Sequence, residues 1–290
     1  MALAVPALLA ANCRKTAEGV EWLERLPATV DALRELWELE TVGSPFGAEA
    51  SAAWVALATC ADGSRAVLKV GLPHMEAEHE IQGLRFWDGD PTVRLLEADE
   101  SLNAMLLERC EPGTHLRSLP LPDQDVVIAR LLRRLWRVPA APHPFRPLAE
   151  MTARWSSETL ADRESWTDPA LVQEGLRLLE ELPRTATAEA LLATDLHAGN
   201  VLRAQREPWL VIDPKPFLGD PAYDATQHLF NSPRVHEEPL ETIRRFADLL
   251  EVDAERVRLW TFARAAAESR DDWEDDWTKL ARLLARSSGL

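Results

Sequence analysis

The chain has 290 residues, 46% hydrophobic and 28% charged, which is enough apolar mass for one large or two medium globular domains. Its formal net charge of −16 makes nucleic acid and anionic membrane poor partners, because affinity for phosphate backbones comes from clustered Lys and Arg. No apolar run approaches the roughly 20 residues of a membrane span. Cys13, Cys60 and Cys110 are too few and too far apart for a disulfide framework or a zinc pattern, so a reducing cytoplasm is the expected setting. An acidic body suits a cationic substrate, since a cleft of one sign concentrates the opposite one, although it also serves plain solubility.

The opening MALAVPALLAA has no basic leader and runs into Arg14, Lys15 and Glu18, so it reads as a helix start rather than a signal peptide. Residues 4–40 carry Trp22, Leu23, Leu26, Leu33, Leu36 and Trp37 near helical period, with Pro27 predicted to divide two segments. Short β-compatible runs follow at 38–42, 53–59 and 65–70. The loop Gly43–Ser51 separates the first two and an Asp62-Gly63 turn the last two. The loop is not a Walker A sequence. Strand, Gly-containing loop, strand, tight turn, strand is nonetheless the order of a nucleotide-covering sheet. Lys69, one of four lysines, lies in the apolar strand AVLKV and needs an anionic partner or a solvent edge, because an unpaired buried charge is costly. A helix is predicted over 75–87, and both Glu78 and Glu80 are candidate partners for Lys69. Strands at 93–98 and 104–108, ending in a Pro112-Gly113 break, complete a lobe of five strands and one helix.

From Pro122 the pattern turns helical, at 123–138, 148–163 and 169–182, the last opened by Asp168-Pro169 as cap and first turn. The chemistry gathers in Leu191–Asp224. Apolar runs at 196–202 and 209–212 flank a polar turn, predicting a hairpin with Asp195 before its first strand and Asp213 after its second. Asn200 follows Asp195 by five residues. A carboxylate, an amide and a second carboxylate at the ends of a hairpin can hold Mg²⁺ and a phosphate chain, and leave one carboxylate to accept a hydroxyl proton. Gly219-Asp220-Pro221 then opens a helix, and residues 237–287 are helical. Within them, Asp271 and Asp272 beside Trp273 would suit a cationic, polyhydroxylated ligand. A solvated helix face with Trp273 and Trp277 packed inward is the plainer account.

The run from Asp195 to Asn200, followed by Ile212-Asp213-Pro214 and by PFLGDPAYD, resembles the aminoglycoside phosphotransferases, and within them the streptomycin 6-kinase and hydroxyurea kinase group. The resemblance implies a protein-kinase-like α+β fold of two lobes, with an antiparallel sheet and a helix in residues 1–108 and a mostly helical lobe in 109–290. It implies Asp195 as the base, Asn200 and Asp213 as Mg²⁺ ligands, and Lys69 on the α- and β-phosphates of ATP. Glu80 is favoured over Glu78 for Lys69 by its spacing from the LRFW end of the helix. Ser44, Phe46 and Gly47 would lie in the nucleotide-covering loop, and the main chain of Glu108 and Cys110 would bond the adenine, their side chains mattering little. Asp220 would support the catalytic loop and Asp224 would be structural, though each could simply be a helix N-cap. Ala193-Thr194 departs from the His-Gly or His-Arg that precedes this Asp in the family.

The expected activity is ATP- and Mg²⁺-dependent phosphoryl transfer to a hydroxyl of a small molecule, an aminoglycoside such as streptomycin, or alternatively an amino sugar or other metabolite. Protein substrates are not expected, because no A-P-E segment and no long activation loop separate Asp213 from Asp220. Two other classes stay open: a two-metal phosphoesterase drawing on Asp195, His197, Asp213, Asp220 and His228, and a catalytically silent pseudokinase.

Overall fold

A computed structural model describes residues 3–46, 51–268 and 275–286. Gly47, Asp271, Asp272 and Trp273 lie outside the described residues. The chain divides into two compact units, Met1–Thr114 with Leu202–Ile212, and His115–Val201 with Asp213–Leu290. The expected division at 108/109 into two continuous stretches differs from this in one respect that matters: residues 202–212 return to the first unit.

In the first unit, α1 (Ala7–Cys13) and α2 (Ala17–Leu36) precede β1 (Leu39–Pro45), β2 (Ala53–Cys60) and β3 (Arg65–Gly71). The helical break falls at Thr16, whose hydroxyl caps α2 by accepting from the Gly19 amide at 3.0 Å. Pro27 sits inside α2 rather than dividing it. The predicted helix at 75–87 is shorter than its apolar pattern suggested. A single 3₁₀ turn, Met75–Ala77, leads to α3, Glu80–Trp87. β4 (Leu95–Asp99) and β5 (Ala104–Glu108) complete an antiparallel sheet of order β1-β2-β3-β5-β4. Alternation along β3 assigns its two faces. Ala66, Leu68 and Val70 pack with Leu9, Trp22, Leu26, Leu33 and Trp54 under the N-terminal helices. Val67 joins Ile81, Leu84, Met105 and Leu107 on the side of α3.

The returning segment is the hairpin of β7 (Val201–Arg203) and β8 (Trp209–Val211). Val211 exchanges backbone bonds with Pro91 and Val93 at 3.0 Å each. Arg206, in the turn, donates to the Glu108 carboxylate at 2.8 Å and to the carbonyls of Gly89 and Thr92 at 2.8 and 2.9 Å. A guanidinium is a fork of five donors, so one side chain can satisfy a carboxylate and two loop carbonyls together.

The second unit is built on α4 (Leu121–Leu135), α5 (Leu148–Ala161), α6 (Pro169–Arg184), α7 (Pro221–Phe230), α8 (Arg234–Glu237), α9 (Pro239–Leu250), α10 (Ala254–Ala267) and α11 (Asp275–Arg286). α10 is buried almost all round, as a helix at the centre of a core must be. It lies close against α6: a Cβ on Gly175 would come within 2.7 Å of Ala267 Cβ. A two-stranded antiparallel ribbon, β6 (Ala190–Leu192) with β9 (Phe217–Gly219), crosses this helical body. No described helix is long and apolar enough to cross a membrane.

Candidate active site

The first unit presents Lys69. It is 6% exposed, and its Nζ meets both oxygens of Glu80 at 2.6 and 2.7 Å, with Glu80 2% exposed at the start of α3. A buried ammonium against a buried carboxylate is held firmly in place, because separating the two would strand a charge in the interior. Glu78 is exposed. Ser44 lies within β1 and exposed Phe46 continues its pairing, the Phe46 amide donating to Val55 O at 3.0 Å.

Glu108, at the end of β5, is held by both its main chain and its side chain. Its amide donates to Arg94 O at 2.9 Å, and its side chain holds Arg206 and accepts from the Arg94 amide. Burial works to raise the Glu108 carboxyl pKa, but these bonds prevail and hold it below its ordinary value. The Cys110 thiol is pushed up to about 12 by burial and the neighbouring Glu108 charge, which makes it inert.

In the second unit the ribbon explains how Asp195 and Asp213 come together. Leu192, the last residue of β6, pairs with Phe217, the first of β9. Antiparallel pairing therefore sets the loop leaving β6 beside the loop entering β9. The Lys215 amide donates to Ala193 O at 2.8 Å, and Thr194 Oγ1 donates to Lys215 O at 2.6 Å. Each loop bends through a non-glycine residue with positive φ, Thr194 at 46° and Asp213 at 54°. Such backbone persists only where the surroundings over-determine it, and it gathers at functional sites.

Asp195 is half-buried. Asn200 Nδ2 donates to the Asp195 carbonyl at 3.0 Å and lies 3.4 Å from its Oδ2. Gln227 Nε2 donates to Oδ1 at 2.8 Å. The Asp195 end of the predicted hairpin differs from expectation: residues 196–200 are a loop with a 3₁₀ turn, Ala198–Asn200, and only Val201 onward is strand. The turn lets the amide of Asn200 reach back to Asp195. That bond occupies the nitrogen and directs Asn200 Oδ1 elsewhere. Asp213 is half-buried and paired with Lys215, itself 6% exposed.

The two aspartates after β9 exchange the parts expected of them. Asp220 caps α7 through the Ala222 amide at 3.0 Å, accepts the Trp260 indole at 2.7 Å and pairs with Arg256, so it fastens α7 to α10. Asp224, 1% exposed and within α7 rather than capping it, is what holds the loop. It accepts the amides of Ala193 at 3.0 Å and Thr194 at 2.7 Å and the Trp136 indole at 3.0 Å. Burial pushes its pKa up to about 6 against these bonds. The 193–194 departure therefore leaves a loop pinned by Asp224 and Lys215.

The histidines are occupied otherwise. Burial, with the repulsion of other cations, lowers the His197 pKa to about 4, and its Nδ1 accepts the Gly199 amide at 3.1 Å. His228 Nε2 bonds Asp125 Oδ1 at 3.0 Å. Among the described residues no group of three or more His, Cys, Asp and Glu side chains could hold a metal ion by themselves. The residues that sequence reasoning missed are Arg206, Lys215, Gln227 and Arg264. Only Lys215 left a signal, as a rare lysine between two aspartates.

A small antiparallel sheet with an internal Lys–Glu pair, and a helical unit presenting Asp-x₄-Asn and a second Asp on paired loops, define the class as a kinase-like phosphotransferase. Solved structures agree on the fold: the choline kinase LicA from Streptococcus pneumoniae matches with a TM-score of 0.62 at 15% identity over 91% of this chain and 98% of its own. A fructosamine-3-kinase homologue from Thermobifida fusca matches at 0.59 and 20% identity, over 88% and 98%. The sequence profile of the aminoglycoside/hydroxyurea antibiotic resistance kinases covers residues 36–276, and the chain belongs to that family. It is 37% identical to a streptomycin 6-kinase of Streptomyces glaucescens over 93% of this chain and 91% of that one. It is 36% identical to a hydroxyurea phosphotransferase of Kitasatospora aureofaciens over 89% and 76%. The protein is a small-molecule kinase.

Proposed function

We propose that this kinase uses ATP and Mg²⁺ to phosphorylate a hydroxyl of an aminoglycoside, with streptomycin as the first candidate. The observation that carries the reading is the meeting of the Asp195, Asn200 and Asp213 loops at one end of the β6–β9 ribbon. The 37% identity to streptomycin 6-kinases points to the acceptor.

Asp195 accepts the proton of the acceptor hydroxyl as its oxygen attacks the γ-phosphorus. The Asn200 amide oxygen and the Asp213 carboxylate are the hard oxygen donors that Mg²⁺ prefers, and the Asn200–Asp195 bond turns that oxygen outward. Lys215 pairs with Asp213 and balances its charge. Bound Mg²⁺ supplies neutralisation of the phosphate charge. Lys69, steadied by Glu80, takes the α- and β-phosphates. Catalysis here is positioning and electrostatics, since phosphoryl transfer asks for little covalent chemistry from protein. Ser44, Phe46 and Gly47 cover the nucleotide, and the main chain near Glu108 and Cys110 receives the adenine. Asp271, Asp272 and Trp273 are assigned to the cationic acceptor, and the setting is cytoplasmic.

The test is Mg²⁺- and acceptor-dependent ADP release, with mass detection of product, across streptomycin, hydroxyurea, other aminoglycosides and amino sugars. Streptomycin phosphate as product supports the reading. Turnover with hydroxyurea or a sugar alone replaces the acceptor and keeps the chemistry, and an Asp195→Asn enzyme with undiminished kcat removes Asp195 as the base.

A further inference from the structure

One face of α7 handles both parts of the loop that carries Asp195. Asp224 takes its backbone, at Ala193 and Thr194. Gln227, three residues on and so on the same face, takes its side chain, at Oδ1. A glutamine amide can turn either way, and its oxygen end would repel a carboxylate. What decides the direction is Arg264 on α10, 4% exposed, whose Nη2 lies 3.0 Å from Gln227 Oε1. A guanidinium has donors and no acceptor, so only the carbonyl end of Gln227 can face it, and the NH₂ end must face Asp195.

Arg264 is itself immobilised. It donates to Thr226 Oγ1 at 2.6 Å, pairs with Glu268, and lies over the rings of Trp155, Tyr223 and Phe230 at 5.4, 5.0 and 4.9 Å. Nothing in nucleotide or metal binding asks for this relay. The relay reaches Asp195 through the 2.8 Å bond from Gln227 to Oδ1.

We propose that Gln227, aimed by Arg264, is a positioning residue that engages Oδ1 of Asp195 and so fixes the orientation of that carboxylate toward the acceptor. The inference rests on the kinase reading above. In the step it serves, the acceptor oxygen bonds to the γ-phosphorus and the γ-phosphorus to β,γ-bridging-oxygen bond breaks. ADP leaves with that electron pair, and the acceptor proton passes to the Asp195 carboxylate. A base rotated out of line leaves binding intact and slows transfer.

The test compares Gln227→Met, Arg264→Lys and the double variant by steady-state kinetics with the acceptor found above, alongside thermal melting. Methionine keeps the volume and cannot donate; lysine keeps the charge and cannot span Thr226 and Gln227 together. Gln227→Met is expected to lower kcat roughly 10- to 100-fold, the scale of a misplaced catalytic group. KM for ATP should stay within about twofold, because ground-state nucleotide binding does not use the bond. The double variant is expected to be no slower than Gln227→Met, because Arg264 acts through Gln227. Asp168→Ala removes the side-chain cap of α6 and touches none of these residues, and should lower the melting temperature with kcat unchanged. A kcat for Gln227→Met within about twofold of the unsubstituted enzyme, or losses that multiply in the double variant, overturn the proposal. Absence of acceptor-dependent turnover in the unsubstituted enzyme instead overturns the kinase reading on which it stands.

Discussion

Asp224→Asn sets two large terms against each other, and the structure says how they balance. The carboxylate receives three donors, Trp136 and Ala193 on Oδ2 and Thr194 on Oδ1. An asparagine oxygen can replace Oδ2, but its NH₂ then faces the Thr194 amide, donor against donor. A buried donor left without a partner costs about 1–3 kcal/mol. Against this, burial outweighs these bonds and leaves the Asp224 pKa at about 6 rather than the ordinary 3.8, so keeping the group ionised at neutral pH costs the folded protein about 3 kcal/mol net of the bonds. The two terms nearly cancel at pH 7, and net stability should change by less than about 2 kcal/mol. The loop that Asp224 pins, however, loses its tether at Thr194, and kcat should fall about 100-fold.

The pH dependence separates the terms. A carboxyl whose pKa is raised on folding contributes stability that is fully present below about pH 4 and is lost as pH rises through about 6. Urea unfolding of both proteins between pH 4 and 7 reads this as a difference. The stability of Asp224→Asn relative to the unsubstituted protein should rise by about 3 kcal/mol across that range and then level. Taking the difference matters, because His197, buried and neutral, changes stability in the opposite direction over the same window. A flat difference from pH 4 to 7, or a kcat within about twofold of the unsubstituted enzyme, would refute the account.

Lys69→Met should abolish nucleotide-dependent turnover and destabilise the protein by about 3–5 kcal/mol by stranding Glu80, while Lys69→Met with Glu80→Leu should recover most of the stability and none of the activity, by urea unfolding and ADP release. Arg206→Met removes donors from Glu108, Gly89 and Thr92 and should cost about 2 kcal/mol in unfolding free energy. His197 should show no titration of its ring proton resonances between pH 5 and 8, because its pKa lies near 4. Cys110 should resist iodoacetamide at pH 8 until the protein is unfolded, since its thiol ionises only near 12.

What the sequence by itself determined lies in short stretches. Alternation around Lys69 marked a strand with a charge that needed a partner, and the spacing of Asp195, Asn200 and Asp213 marked the candidate residues for metal and base. Asp168-Pro169 marked a helix start, and the side chain of Asp168 does cap α6. These are local effects: a period, a cap or a turn acts within a few residues, where chain order is also spatial order. Tertiary structure decided what depends on distant elements meeting. The β6–β9 pairing set the 193–200 loop against the 213–216 loop. Arg206, in a turn that looked merely polar, holds Glu108 98 residues earlier in the chain. Gln227 acquired its place beside Asp195 from the packing of α7, and its direction from Arg264, 37 residues further along the chain. A hydrogen bond depends on position and angle in space rather than on separation along the chain. Glutamine 227 is therefore an ordinary polar residue of a helix until the helix has docked.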